Sequence, residues 1–232
     1  MDADSLKIYR GIIDNRTLMT LYSFINKGLI DQVIGIVKEG KESGVFLAKD
    51  KKQNSIAIKI YRTLASDFKT MWRYLIGDKR FSSIRKNRAS VIFSWCSREY
   101  KNLKTCYEAG VSCPSPIYAK NNVLLMSFVG DEHPAPRLID VSAKKKDYEF
   151  ILKQIELMFK AGIVHGDLSA YNILLYKKPV IIDFSHGISV KSLSAPDMLK
   201  KDIQNINSYF SKLGIKTKDE RKIYERLVRF YD

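Results

Sequence analysis

Cysteine is scarce here: three in 232 residues. Cys96, Cys106 and Cys113 form no C-x-x-C pair, which excludes a disulfide frame and a zinc knuckle and fits reduced thiols in a cytoplasmic protein. No apolar run approaches the length of a membrane span. The start, Met1–Asp2–Ala3–Asp4, is acidic and carries no apolar signal core. Internal repeats and low-complexity segments are absent, as is the G-x-x-x-x-G-K-[ST] order of a Walker A loop. Histidine is rare too, and neither His165 nor His186 has a His or Cys partner at metal-ligand spacing. Acidic residues are in deficit, with 25 Asp and Glu against 40 Lys and Arg, for a net charge of +15. Such an excess favours an acidic partner, RNA or ATP, and says nothing about fold. The length suits one bilobal domain or two small ones.

What is present centres on one stretch. Val164–His165–Gly166–Asp167 leads through Asn172 to Ile173–Leu174–Leu175, then a turn at Lys177–Lys178–Pro179, then Val180–Ile181–Ile182–Asp183–Phe184. Two apolar runs around a turn read as a hairpin, with Asp167, Asn172 and Asp183 gathered at one end. An Asp, an Asn five residues later and a second Asp after a strand suit phosphoryl transfer. Asp167 is the candidate to orient or deprotonate the attacking hydroxyl. Asn172 and Asp183 offer hard oxygen ligands for magnesium.

The N-terminal half supplies possible partners. Asp14 can cap a helix through Leu18, Leu21, Tyr22 and Ile25. Strands at 33–37 and 45–48 flank Gly40–Lys41–Glu42–Ser43, a turn whose backbone N–H groups can drape over phosphates. In Ser55–Tyr61 the period of two sets Ile56, Ile58 and Ile60 opposite Ala57, Lys59 and Tyr61. A lysine inside an apolar strand is costly unless an anion meets it, although a snorkelling lysine on an edge strand is the plain alternative. I-A-I-K resembles the kinase lysine motif, and Glu99, on a helix through 94–103, is the candidate partner of Lys59.

Residues 69–88 carry seven basic residues against Asp78, with Trp72, Tyr74 and Phe81 interleaved. That mixture suits phosphate contact with base stacking, or equally a solvated insertion. In a kinase layout the strand 123–129 leads into a hinge where backbone groups of Met126, Ser127 and Val129 meet adenine. Further helices are expected over 147–161 and, behind capping boxes at Ser194/Asp197 and Thr217/Glu220, in the last forty residues.

Together these motifs resemble the RIO atypical protein kinases, and among them the type-one subfamily. The resemblance rests on Arg16–Tyr22, Gly40–Ser43, Ala57–Arg62, Glu99–Leu103, Pro134–Pro136, His165–Asn172, Ile182–Ser185 and Asp202–Ile203. It departs from the family pattern at Ser127, Gly166 and His186. It implies an α+β, trimmed two-lobed kinase-like fold, with an antiparallel sheet and helices over 1–129 and a small, mostly helical lobe over 130–232. It further implies ATP with Mg2+, or Mn2+ in its place, serine autophosphorylation or ATPase activity through a phosphorylated Asp183, and work on the precursor of the small ribosomal subunit and its rRNA. No membrane partner is implied. Two other readings compete: a small-molecule phosphotransferase of the aminoglycoside or choline kinase type, and a non-catalytic RNA-binding assembly module. The complete set Lys59, Asp167, Asn172 and Asp183 opposes the second.

Overall fold

The computed structural model describes residues 13–63, 68–81 and 84–230. The acidic start, positions 82 and 83 of the basic segment and Tyr231 lie outside the described residues. Among the described residues the chain forms two compact units. The first runs to Lys101 and resumes over Ser115–Pro134; the second comprises Asn102–Pro114 and the chain from Ala135 onward. This differs from a division at 129/130, for a hydrogen-bonding reason. Ser112 N–H donates to Gln154 Oε1 at 2.7 Å, and Ser112 C=O accepts from Ile181 N–H at 2.8 Å. The segment 102–114 is thereby tied to the later part of the chain.

In the first unit, helix α1 (Asn15–Asn26) begins where the Asp14 carboxylate accepts from Thr17 N–H at 2.7 Å. Strands β1 (Gln32–Glu39), β2 (Ser43–Lys49), β3 (Ser55–Tyr61), β4 (Pro116–Lys120) and β5 (Val123–Ser127) form an antiparallel sheet in the order β1-β2-β3-β5-β4. Helices α2 (Phe68–Ile76) and α3 (Arg88–Glu108) follow β3. The period of two in β3 does what it predicts. Ile56, Ile58 and Ile60 join Phe46, Val123, Leu125 and the α1 residues Leu21 and Phe24 in one core. Tyr61 and Leu124 join Met71, Leu75, Val91, Ile92 and Trp95 in another. Lys59 pairs with Val45 on one side and Leu124 on the other, so it lies on the central strand and not on an edge.

The basic segment is not a solvated insertion. Met71, Leu75 and Phe81 are buried, and Trp72 and Tyr74 pack against the same core. The expectation that these rings await nucleic-acid bases is therefore corrected. Apolar burial claims them first, and cations of this chain cover them: Lys86 over Trp72, Arg98 over Tyr74, and Lys101 over Phe81 at 4.6 Å. Lys69, Arg73, Arg85, Lys86 and Arg88 remain exposed.

The second unit is mostly helical. Helix α4 (Lys145–Lys160) buries Tyr148, Ile151, Ile155, Met158 and Phe159, the stripe expected from its 3.6-residue period. Strands β6 (Ile163–Val164) and β9 (Ile188–Ser189) pair, and β7 (Ile173–Tyr176) and β8 (Lys178–Ile181) form the predicted hairpin, with Lys177 at φ 60° in its turn. Helices α5 (Ala195–Lys212) and α6 (Glu220–Val228) close the described chain. Both expected capping boxes fail. Ser194 already has helical angles and its side chain makes no cap bond. Asp219, not Thr217, accepts from Lys222 N–H at 2.9 Å and caps α6, because a carboxylate two residues later sits where the first turn begins. Among the described residues no helix is long and apolar enough to cross a membrane.

Candidate active site

Each unit gathers its own part of the expected constellation. In the first, Lys59 Nζ donates to Glu99 Oε1 at 2.8 Å, with Lys59 5% and Glu99 2% exposed. A charge pair so buried survives only if the remaining lone pairs are met. The Tyr61 hydroxyl meets them by donating to Glu99 Oε2, and Lys59 Nζ lies 5.1 Å from the Tyr61 ring centre. Strand alternation puts Lys59 and Tyr61 on one face, and α3 brings Glu99 down onto it. Nothing in the sequence singled out Tyr61; its position two residues beyond Lys59 was the available signal.

The turn Gly40–Ser43 joins β1 to β2. Gly40 N–H donates to Ser43 C=O at 2.9 Å, so this group closes the turn and does not point to a ligand. Arg62 braces the turn from outside, donating from Nε to Gly40 C=O at 3.1 Å and from Nη2 to Glu39 at 2.5 Å. Arg62 N–H also donates to Glu42 C=O. Lys41, Glu42 and Ser43 are thus held on a short, braced turn. Further on, Met126 pairs with Ala57 across β5 and β3. Ser127 exchanges bonds with Ser115: its N–H donates to Ser115 C=O and its hydroxyl oxygen accepts from Ser115 N–H, both at 2.8 Å. Val129, two residues past the strand end, is partly buried and precedes Gly130, which has φ 144°.

In the second unit the hairpin does bring the three polar residues together. Ile173 pairs with Ile181, and Ile182 N–H donates to Asn172 C=O at 3.0 Å, so Asn172 and Asp183 flank the open end of β7–β8. Asn172 Nδ2 donates to the Asp167 carbonyl at 2.9 Å and its Oδ2 at 3.0 Å. Both bonds use the amide nitrogen, so the amide oxygen is the atom of Asn172 that could hold a cation. Asp183 sits at φ 67°, ψ 69°, in the left-handed region, and the Ser185 hydroxyl donates to its Oδ1 at 2.7 Å. A carboxylate and an amide oxygen on adjacent backbone are the hard donors magnesium takes when phosphate and water fill the remaining positions. No group of three or more His, Cys, Asp or Glu able to hold a metal exists among the described residues.

Sequence reasoning read His165 as a scaffold or loop residue and gave no role of their own to Asp202 and Asn102, which also hold this backbone. His165, fully buried, bonds Ile182 C=O through Nε2 at 3.1 Å, and its ring lies 5.1 Å from Phe184. Burial pushes its pKa below the usual histidine value. The neutral Nε2–H tautomer satisfies both neighbours, since Nδ1 then accepts from Asp167 N–H at 3.4 Å. Asp202 on α5 straddles Asp167, accepting from Gly166 N–H and Leu168 N–H at 2.8 Å each. Burial, opposed by those two bonds, raises the Asp202 carboxyl to about 7. Its signal was a carboxylate inside the apolar stripe Leu199–Ile203–Ile206. Asn102, 0% exposed, donates from Nδ2 to Phe184 C=O at 3.0 Å and Gly187 C=O at 2.8 Å.

A family model described as the RIO domain matches residues 44–223. The chain belongs to the RIO family. Within it, the chain is a kinase of the Rio1 type. The Rio1 protein of Haloferax volcanii, named a RIO-type serine/threonine-protein kinase, is 35% identical over 228 residues, covering 97% of this chain and 78% of that protein. The corresponding protein of Methanocaldococcus jannaschii is 38% identical, covering 89% of this chain and 72% of its own length. Human serine/threonine-protein kinase RIO1 is 34% identical over 92% of this chain, which spans only 39% of it. The RIO chain described here also superposes on the Rio2 kinase of Chaetomium thermophilum, solved as an ADP/Mg2+–phosphoaspartate complex. The TM-score is 0.67 at 22% identity, covering 88% of this chain and 64% of that one. The α+β, kinase-like fold expected from the sequence is thus the fold found.

Proposed function

We propose that this RIO kinase binds ATP with Mg2+, or Mn2+, and transfers or hydrolyses its γ-phosphate, acting on serine or threonine as its relatives' names state. The observation that carries the proposal is the gathering of Asp167, Asn172 and Asp183 at the open end of one hairpin. Lys59, held by Glu99, supplies a desolvated cation for the nucleotide phosphates. The turn Gly40–Ser43 covers them, and backbone groups of Met126, Ser127 and Val129 receive adenine. Asp167 orients or deprotonates the acceptor hydroxyl. Asn172 and Asp183 hold the metal, which neutralises charge on the phosphates when bound.

Asp183 is also the proposed site of phosphorylation. One carboxylate oxygen would form the bond to the γ-phosphorus as the bond to ADP breaks, and water would then release phosphate. The Rio2 kinase solved as an ADP/Mg2+–phosphoaspartate complex shares this fold, which is consistent with such a route. Family membership favours a RIO activity over a small-molecule phosphotransferase. The net charge of +15 fits an acidic partner, and the family resemblance names it as the precursor of the small ribosomal subunit.

Incubation with γ-labelled ATP, alone and with small ribosomal subunits, tests the proposal. Label on the protein or as free phosphate, dependent on magnesium and lost in Asp183→Ala, is the expected result. Absence of both products under all conditions overturns it. Hydroxylamine-labile label would identify the acyl phosphate; hydroxylamine-resistant label would place the phosphate on serine or threonine instead.

A further inference from the structure

Asp183 occupies a left-handed backbone conformation that L-residues other than asparagine and aspartate rarely adopt. Such a conformation persists only where its surroundings over-determine it. On the N-terminal side of Asp183 the restraint comes from Ile182, whose N–H and C=O are both bonded. On the C-terminal side, Phe184–His186 forms a single 3-10 turn closed by Gly187 N–H donating to Phe184 C=O at 3.1 Å. One turn of 3-10 helix is a weak restraint by itself.

Asn102 reinforces it. A primary amide nitrogen carries two hydrogens, and the two carbonyls it meets, Phe184 and Gly187, are the start of the turn and the residue just past it. Aspartate offers acceptors where donors are needed, and leucine offers neither. The fit is close on the other side as well. A Cβ at Gly187 would lie 2.8 Å from Asn102 Nδ2 and 3.1 Å from Phe184 C=O. Gly187 has φ −54°, a value any residue adopts, so the constraint there is the approach of the Asn102 amide and not the backbone angle.

We infer that Asn102 is a positioning residue for Asp183: its amide clamps the turn after Asp183 and so holds that carboxylate in the pose that receives magnesium. The inference rests on the reading of Asp183 as a metal ligand. Partners behind a ligand commonly change metal affinity by about 10- to 100-fold when removed.

The test measures ADP binding to the full chain across a magnesium titration and in EDTA, with the melting temperature followed in parallel. The proteins are wild type, Asn102→Leu, Gly187→Ala, the double variant and Asp183→Asn. In Asn102→Leu and Gly187→Ala the magnesium concentration for half-maximal enhancement should rise about tenfold, with ADP affinity in EDTA unchanged. The double variant should shift no further than the worse single one, because both changes open one clamp. A lower melting temperature with an unmoved magnesium midpoint would mark Asn102 as a plain packing residue and overturn the inference. Should Asn102→Leu fail to fold, Gly187→Ala decides alone, since alanine suits its backbone angle. An unmoved midpoint in Asp183→Asn would sink the metal-ligand reading itself. A shift there without one in Gly187→Ala or Asn102→Leu would sink only the inference about Asn102.

Discussion

The two units hold their candidate residues in opposite ways. In the first unit, Lys59 and Glu99 are buried and satisfy each other directly, with Tyr61 completing the set. In the second, Asp167 is exposed and Asp183 partly so, and their backbone is held from behind by His165, Asp202 and Asn102. A buried charge must find its partner within the protein, because the interior screens poorly. A carboxylate awaiting a metal must keep oxygens exposed, so its restraint has to come through the main chain. The lesson is that the first pair resists change in its side chains, and the second set in its backbone.

Replacing the acids themselves should break the comparison most severely. Asp183→Ala is expected to lower turnover by about 10³-fold or more and to abolish the magnesium dependence of nucleotide binding. Asp167→Ala should lose turnover while binding ATP and magnesium nearly normally. Steady-state rates combined with nucleotide titrations check both, and equal binding defects would show that the two carboxylates have been assigned the wrong roles.

Next in size is the buried pair. Lys59→Ala leaves the Glu99 carboxylate buried without its cation, an error worth about 3–5 kcal/mol of stability, alongside a turnover loss of order 10²-fold. Lys59→Met with Glu99→Leu should recover most of that stability and none of the activity. Chemical denaturation reads the first, ATP turnover the second. Recovery of activity in the double variant would remove the pair from catalysis.

A smaller effect separates the two backbone anchors by pH. The folded-state pKa of His165 is depressed by burial, so its contribution is present above its ordinary value of 6.5 and is lost as pH falls below it. Asp202 is raised to about 7 from 3.8, so its contribution is present below 3.8 and is lost as pH rises through 7. The stability difference between wild type and His165→Phe should therefore grow from pH 5 to 7, and that between wild type and Asp202→Asn should shrink. Thermal unfolding across that range measures both slopes; slopes of the same sign would contradict the burial assigned to one of them.

Least disruptive should be Arg85→Ala with Lys86→Ala and Arg88→Ala. These side chains are exposed, so stability should move by no more than about 0.5 kcal/mol. Binding of a ribosomal RNA fragment should lose part of its salt dependence, since fewer phosphates are neutralised. An unchanged slope would remove the segment from any RNA contact.

Much of this was legible in one dimension, and the reasons differ by element. The alternation of Ile56, Ile58 and Ile60 against Lys59 and Tyr61 is a local property of an extended chain, and it specified both faces of β3. The apolar runs on either side of the turn specified the hairpin, which brings Asn172 and Asp183 together, but the turn expected over Lys177–Lys178–Pro179 narrows to Lys177, with Lys178 and Pro179 already paired in β8. The basic segment was misread because charge is conspicuous in a sequence while apolar burial at Met71, Leu75 and Phe81 depends on what the helix meets.

What the sequence by itself determined was which residues are the candidates for the chemistry: motif spacing is enough to pick them out, since each motif is a few residues on one turn or strand. What only the tertiary structure decided was how they are held. Asn102 lies 82 residues from Phe184, and Asp202 lies 36 from Gly166. Hydrogen bonds across such separations leave no periodic trace, because they depend on where helices come to rest and not on the local repeat of the chain.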